Sequence, residues 1–129
     1  MTTRRAPAPN KSSPPGPQLR FRMRINDGDV IAIGPGKIAL LEAIERCGSI
    51  TAAAKSLDMS YRRAWMLIDE MNHALKTPAV DSAKGGSAGG GSALTASGRE
   101  LIALYRRIEE TAAQAARADI RKLVGMLAR

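Results

Sequence analysis

Aromatic side chains are nearly absent from this chain: one Phe, one Trp and two Tyr in 129 residues. With so few rings, any core has to be aliphatic and alanine-rich. Cysteine is limited to Cys47, which excludes an intramolecular disulfide. Histidine is limited to His73, so no zinc site has its ligands and no metal or cofactor is expected. Nucleophilic catalysis of the Ser/His/Asp kind would need His73 beside an acid and a serine across the fold, and no motif points there. The acids that pair, Asp69-Glu70 and Glu109-Glu110, are chain neighbours on helical stretches, where solvation and ion pairs account for them. No enzymatic site is expected. Long apolar runs are also missing, which excludes a membrane-spanning helix. Met1–Leu19 lacks the apolar centre of a signal peptide, so a cytoplasmic location is expected. Acids are scarce relative to bases: 12 Asp and Glu against 20 Lys and Arg give a formal charge of +8, with an isoelectric point near 10.4. That excess is the electrostatic footprint of a polyanion binder and carries no sequence specificity by itself.

Composition changes sharply along the chain. Residues 1–18, MTTRRAPAPNKSSPPGPQ, hold five of the seven prolines and no aliphatic side chain larger than Ala after Met1. Such a segment buries too little to offset its ordering and is expected to be a disordered, basic tail. Leu19–Asn26 then alternates, with Leu19, Phe21, Met23 and Ile25 on one face and Arg20, Arg22 and Arg24 on the other. The pattern predicts a half-buried strand whose arginines form a solvated face that protects the edge, with an approach to DNA as the alternative. Asp27-Gly28 signals a type I′ hairpin, with the return strand over Asp29–Ile33. Gly34-Pro35-Gly36 ends the hairpin, and Lys37–Cys47 is a helix with Ile38, Leu40, Leu41 and Ile44 toward the core. Pro35 suits its first position, and Gly48 stops it.

The stretch Gly48–Asn72, GSITAAAKSLDMSYRRAWMLIDEMN, is the most informative in the chain. Ser49 is placed to cap a short helix whose apolar face is Ile50, Ala53, Ala54 and Leu57. Asp58-Met59-Ser60 forms a turn. From Tyr61 a second helix carries Ala64, Leu67, Ile68, Met71 and Leu75 on one face. Two helices, a three-residue turn and small alanines that permit close crossing describe a helix-turn-helix over residues 49–75. The second helix, over 60–75, would lie in a DNA major groove with its N-terminal residues toward base edges. Arg62, Met66, Asp69 and His73 point away from its core face, flanked by Tyr61, Arg63 and Trp65. Arginines in a first helical turn face the positive end of the helix dipole, a mildly unfavourable position that stability alone does not select.

Ala79–Lys84, the glycine-rich GGSAGGGS over 85–92 and Ala93–Thr95 together predict two short strands with a loose tip. This makes a wing over 79–95, anchored to the DNA backbone by Lys84. The loop has neither GxxxxGK[ST] nor GxGxxG between a strand and a helix, so it is not read as a nucleotide cradle. Thr95 or Ser97 caps the last segment. Leu101, Leu104, Tyr105 and Ile108, then Ile120, Leu123, Val124 and Leu127, fall at helical spacing, and no proline intervenes. One helix over about 97–127 would be about 45 Å long and could not bury its far end on so small a domain. Residues 97–129 are therefore expected to be a dimerisation helix that uses Leu101, Leu104, Tyr105, Ile108, Ile120, Leu123 and Leu127.

These residues also resemble a known family. Gly48-Ser49-Ile50, Ala54-Lys55, Ser60-Tyr61, Ala64-Trp65 and Glu70-Met71-Asn72 at their present spacing resemble the winged helix-turn-helix of ModE-type, molybdate-responsive regulators. The likeness extends through Ala93-Leu94-Thr95, Gly98, Leu101-Ile102 and Leu104-Tyr105, and to LysR-type regulators more distantly. It implies a link to molybdenum metabolism, which composition and spacing do not supply. Family members usually carry a C-terminal molybdate-binding portion; the sequence ends at Arg129, and no small-molecule effector is expected on it.

The fold expected is mainly α with small β hairpins: a winged helix-turn-helix over 19–96 with a long C-terminal dimerisation helix. The function expected is a sequence-specific transcriptional regulator, acting as a repressor, bound as a homodimer to an inverted repeat of double-stranded DNA. Arg62 and Arg63 would meet bases or phosphates, Tyr61, Trp65 and Met66 would meet thymine methyls, and Ser49, Thr51 and Ser60 would bond the phosphate backbone. Two alternatives remain open at this stage. One is a module that binds an oxyanion such as molybdate; the other is a winged helix that docks proteins and not DNA.

Overall fold

The computed structural model describes residues 15–81 and 94–128. Most of the expected tail, the glycine-rich tip of the wing with Lys84, and Arg129 lie outside those residues. The elements in chain order are β1 (Ile25–Asp27), β2 (Val30–Ile33), α1 (Pro35–Cys47), α2 (Ile50–Ser56), α3 (Tyr61–Ala74), α4 (Ala96–Ala115) and α5 (Arg117–Gly125).

The hairpin is shorter than the alternation predicts. Asp27 pairs with Val30 and Asn26 with Ile31, and a bulge at Ala32 lets Ile25 meet Ile33. The two loop residues are Gly28 and Asp29, and of these only Gly28 has positive φ, at 65°. That pattern belongs to type II′ and not to the expected type I′. Leu19–Arg24 forms no ladder, because the four-residue β2 is used up by Ile25–Asp27. Leu19, Phe21 and Ile25 are exposed, and of the predicted apolar face only Met23 packs against the core. The segment is held instead by Tyr105 of α4, whose hydroxyl donates to the Met23 carbonyl at 2.8 Å.

The core forms around α1. Its start follows from Gly34 and Pro35, and Gly48 at φ 83° ends it by donating its N–H to the Ile44 carbonyl. Ile38, Leu40, Leu41, Ala43 and Ile44 are all fully buried. Around them pack Ile50, Ala53 and Ala54 of α2, Ala64, Ile68 and Met71 of α3, and Tyr105 of α4. At about 1.5–3 kcal/mol for each large aliphatic side chain, this cluster is the main stabilising term. Surface ion pairs add less: Arg106 reaches Glu42 of α1 at 2.7 Å and Glu109 at 2.7 Å, with both chains partly exposed. The hydrogen bond from Arg106 holds the Glu42 carboxyl below its usual range, and the same bond raises the guanidinium. Burial, helped by the Glu109 charge, pushes the Tyr105 hydroxyl up.

The long C-terminal helix is broken. The backbone leaves helical geometry at Ala116 (φ −104°, ψ 18°), and α5 starts afresh at Arg117. The bonds Ala116 N–H to Ala112 and Ile120 N–H to Ala116 persist on either side, so the hydrogen-bonded path continues through the break. No proline or glycine marks this point in the sequence.

Two close approaches join the wing base to the helices. Asn72, late in α3, accepts from Ala79 N at 2.9 Å and from Val80 N at 3.3 Å, and donates to the Val80 carbonyl at 3.0 Å. Val80 in turn bridges Leu94. Thr95 caps α4 by accepting from Gly98 N at 3.0 Å, while its hydroxyl donates toward the Pro78 carbonyl at 2.7 Å. A Cβ on Gly98 would collide with the carbonyl oxygen of Ala79.

Gly98→Ala is therefore expected to destabilise the fold by about 1–3 kcal/mol, read as a lower midpoint in urea unfolding. Asn72→Ala strands up to three backbone groups and is expected to cost about 1–3 kcal/mol. Its amide-exchange signature should be local: faster exchange at Ala79 and Val80 with unchanged exchange within α1. An unchanged exchange rate at those two amides would contradict the tie.

Candidate nucleic-acid interface

The helix-turn-helix forms where the residue types demand it. Ser49 accepts from Ala52 N at 3.1 Å to cap α2, and Ser60 accepts from Arg63 N at 3.0 Å to cap α3. Between them the chain turns at Leu57–Ser60, with Asp58 in left-handed geometry at φ 58°. The Met59 amide donates back to Ala54 at 3.0 Å, closing the turn on α2. Ala53, Ala54 and Ala64 are buried, and their small side chains let α2 and α3 approach closely.

Helix α3 presents the face read from the sequence. Ala64, Ile68 and Met71 are buried, whereas Arg62, Met66, Asp69 and His73 are exposed on the other side. Tyr61 and Arg63 are exposed as well. Trp65 is half-buried and packs against the core, with the Tyr61 ring edge-on to it at 6.2 Å and 74°. Its indole is therefore partly committed to holding Tyr61. Among the described residues neither Arg62 nor Arg63 pairs with an acid. Thr51 is exposed at the start of α2. Ser49 and Ser60 each use an oxygen lone pair as a cap, but their O–H groups still have a proton to donate. Phosphate oxygens only accept, so capping and a phosphate contact are compatible. Lys84 lies outside the described residues.

One group escaped the sequence reading. Lys37, in the first turn of α1, is 5% exposed. Its ammonium donates to the Ile31 carbonyl of β2 and pairs with Glu70 of α3 at 3.1 Å. It ties hairpin, buried helix and α3 together. The signal available beforehand was weak: a lysine one position before Ile38, on the flank of the apolar stripe.

The residues expected to pair two copies divide into two groups. Tyr105 is inside the protomer, 2% exposed and bonded to Met23, so its ring is not available to a partner, and Leu101 is half-buried against the same core. The reason is that α4 covers α1 with one side of its apolar stripe. Leu104, Ile108, Leu123 and Leu127 are exposed, and Ile120 is half-buried. Val124, and Met126 just past the end of α5, extend that exposed apolar face.

The described residues contain no cluster of metal ligands and no helix long and apolar enough to cross a membrane. Residues 36–99 match the family of bacterial regulatory helix-turn-helix proteins, LysR family. The chain is 48% identical over 92 residues to the molybdenum transport protein ModE of Azotobacter vinelandii, covering 70% of this chain and 34% of that one. It is 49% identical over 77 residues to the molybdenum-pterin-binding protein MopB of Rhodobacter capsulatus, covering 60% and 28%. It is 45% identical over 71 residues to the DNA-binding transcriptional dual regulator ModE of Escherichia coli K12, covering 55% and 27%. The chain thus spans about a third of the length of these relatives. The matched stretch runs from the start of α1 to the start of α4, and through it the chain belongs to the LysR-type bacterial regulatory helix-turn-helix proteins, in their ModE-type form.

Proposed function

We propose that this chain is the DNA-binding part of a ModE-type transcriptional regulator, which reads double-stranded DNA with α3. The observation that carries this reading is the serine-capped α3 with Arg62, Arg63 and Met66 exposed and the arginines unpaired among the described residues, in a chain of formal charge +8. Arg62 and Arg63 offer guanidinium forks to guanine or phosphate, and Met66 and Tyr61 offer apolar contact to thymine methyls. Ser49, Thr51 and Ser60 donate to phosphates at the starts of α2 and α3. Lys84 would extend the contact through the wing. The molybdenum named for two of the relatives supplies the proposed link to molybdate-dependent control. A DNA reader works in the cytoplasm and catalyses nothing, and repression is the simplest action, by occupancy of a promoter. The similarity to regulators favours this reading over an oxyanion-binding module or a protein-docking winged helix.

The reading extends to assembly. Leu104 and Ile108 on α4, Leu123 and Val124 on α5 and Leu127 just beyond it keep about half of their surface exposed, so a lone protomer leaves unrealised about half of the roughly 1.5–3 kcal/mol that full burial of each side chain supplies. Pairing of two copies through these helices buries them and duplicates α3, and the preferred DNA is then an inverted repeat.

Sequences selected from random duplex DNA should converge on such a repeat. Arg62→Ala and Arg63→Ala should each cost about 1–3 kcal/mol and relax specificity at one position; unchanged binding of every sequence by both variants would sink the assignment of α3. Leu123→Glu combined with Leu127→Glu should give folded monomers in sedimentation equilibrium and weaken binding to the repeat. A parent that sediments as a monomer at tens of micromolar would remove both the dimer and the repeat.

A further inference from the structure

The arginines of the strandless N-terminal segment lie beside the reading helix. Arg22, Arg24 and Arg63 line one groove of about 330 Å³ with Met66, Leu67 and Glu70 of α3 and the Gly34-Pro35-Gly36 turn. Lys37 lies in its floor. The only acid lining it, Glu70, pairs with Lys37 at 3.1 Å. The three guanidinium groups are therefore uncompensated within the groove, and among the described residues none pairs with an acid.

Their position is fixed and not incidental. Met23, between the two arginines, packs against the core, and its carbonyl accepts from Tyr105 at 2.8 Å. The stem of Arg24 lies along Gly34, where a Cβ would come 3.5 Å from its Cγ. A row of arginines that served only solubility would not need this anchorage. A helix with side chains is about 10–12 Å across and fills a major groove about 12 Å wide. Groups that flank such a helix meet the phosphate rims, and not the bases.

We propose that Arg22 and Arg24 clamp the phosphate backbone of duplex DNA alongside α3, as a second, sequence-independent contact set. The proposal rests on the DNA-binding reading above. It gives the hairpin side of α3 a role like that expected of the wing on the other part of the domain. Arg20 provides an internal control, since it is absent from this groove: it lines a neighbouring one, which Arg22 borders as well, with Leu19, Phe21 and Arg106, and it bonds Gln18 at 2.9 Å.

The test is the salt dependence of binding of the full chain to a mixed-sequence DNA duplex, followed by fluorescence anisotropy across a KCl series. Each phosphate contact contributes about 0.9 to the slope of log affinity against log salt, so Arg22→Ala with Arg24→Ala should lower the slope by about 1.8 and the affinity roughly 10- to 30-fold near physiological salt. Arg22→Lys with Arg24→Lys should keep the slope, Arg20→Ala should keep both slope and affinity, and all variants should melt with the parent. A double alanine variant with the parental slope would overturn this proposal while leaving the DNA reading intact. An equal loss in Arg20→Ala would overturn it too, by reducing the effect to net charge. A parent without salt-dependent duplex affinity would overturn the DNA reading and this proposal with it.

Discussion

The ammonium of Lys37 sits where three elements meet, and their relative placement depends on it. A nearly buried cation is costly unless its hydrogen bonds and charge are met. Here the Ile31 carbonyl meets one and Glu70 the other, so the cation is stable only while β2, α1 and α3 keep their present spacing. The aliphatic cluster around Ile38, Leu41 and Ile44 supplies most of the stabilisation, but greasy contacts between smooth helices tolerate sliding. A directional bond from a buried ammonium tolerates much less. The angle at which α3 leaves the domain surface is set by both together.

The same division of labour recurs at the wing. Asn72 makes three bonds to the backbone of Ala79 and Val80, and Thr95 and Gly98 close the return onto α4. The two polar ties on α3, at Glu70 and Asn72, are two residues apart on its second half, opposite in direction, one to the hairpin and one to the wing base. The first half of α3, with Arg62, Arg63 and Met66, carries no such ties. Rigid support at one end and freedom at the other suits a reading helix: its exposed side chains stay unengaged while its axis is fixed.

What was legible beforehand follows from which signals are local. Helix caps are local: Ser49 and Ser60 marked the starts of α2 and α3, Gly34-Pro35 the start of α1 to within two residues, Gly48 the end of α1, and Thr95 was one of two caps read for α4. Helical faces depend only on period, and the exposed line through Arg62, Met66, Asp69 and His73 was read without a structure. Strand length was not legible, because the alternation of Leu19–Asn26 says nothing about whether a partner strand is long enough to pair with it. Tyr105 illustrates a second limit. Its spacing placed it on the apolar stripe of α4 with Leu101, Leu104 and Ile108, but that stripe is broader than one interface. The side with Leu101 and Tyr105 covers α1, while Leu104 and Ile108 remain exposed. Lys37 and Asn72 were illegible for a related reason: a polar side chain becomes structural through a partner far along the chain, as Lys37 does with Glu70, or across a loop, as Asn72 does with Ala79 and Val80, and neither pairing leaves a periodic signature in the sequence.

The first turn of α3 shows where stability and function pull apart. Its positive dipole end would be better met by acids, yet it holds Arg62 and Arg63, with no acid in that turn. The cost is of order 0.3–1 kcal/mol for each misplaced charge, small against the burial around α1 and affordable for that reason. The cap compensates in part, since Ser60 satisfies the Arg63 amide without introducing a negative charge. An aspartate cap would satisfy it at least as well and would favour the dipole, but it would also set a carboxylate where the proposed phosphate contact falls. A neutral hydroxyl that accepts from the helix and still donates outward suits both demands, and the same choice is made at Ser49. Both helices of the motif are thus capped without adding negative charge at their N-termini, which suits the approach of a polyanion.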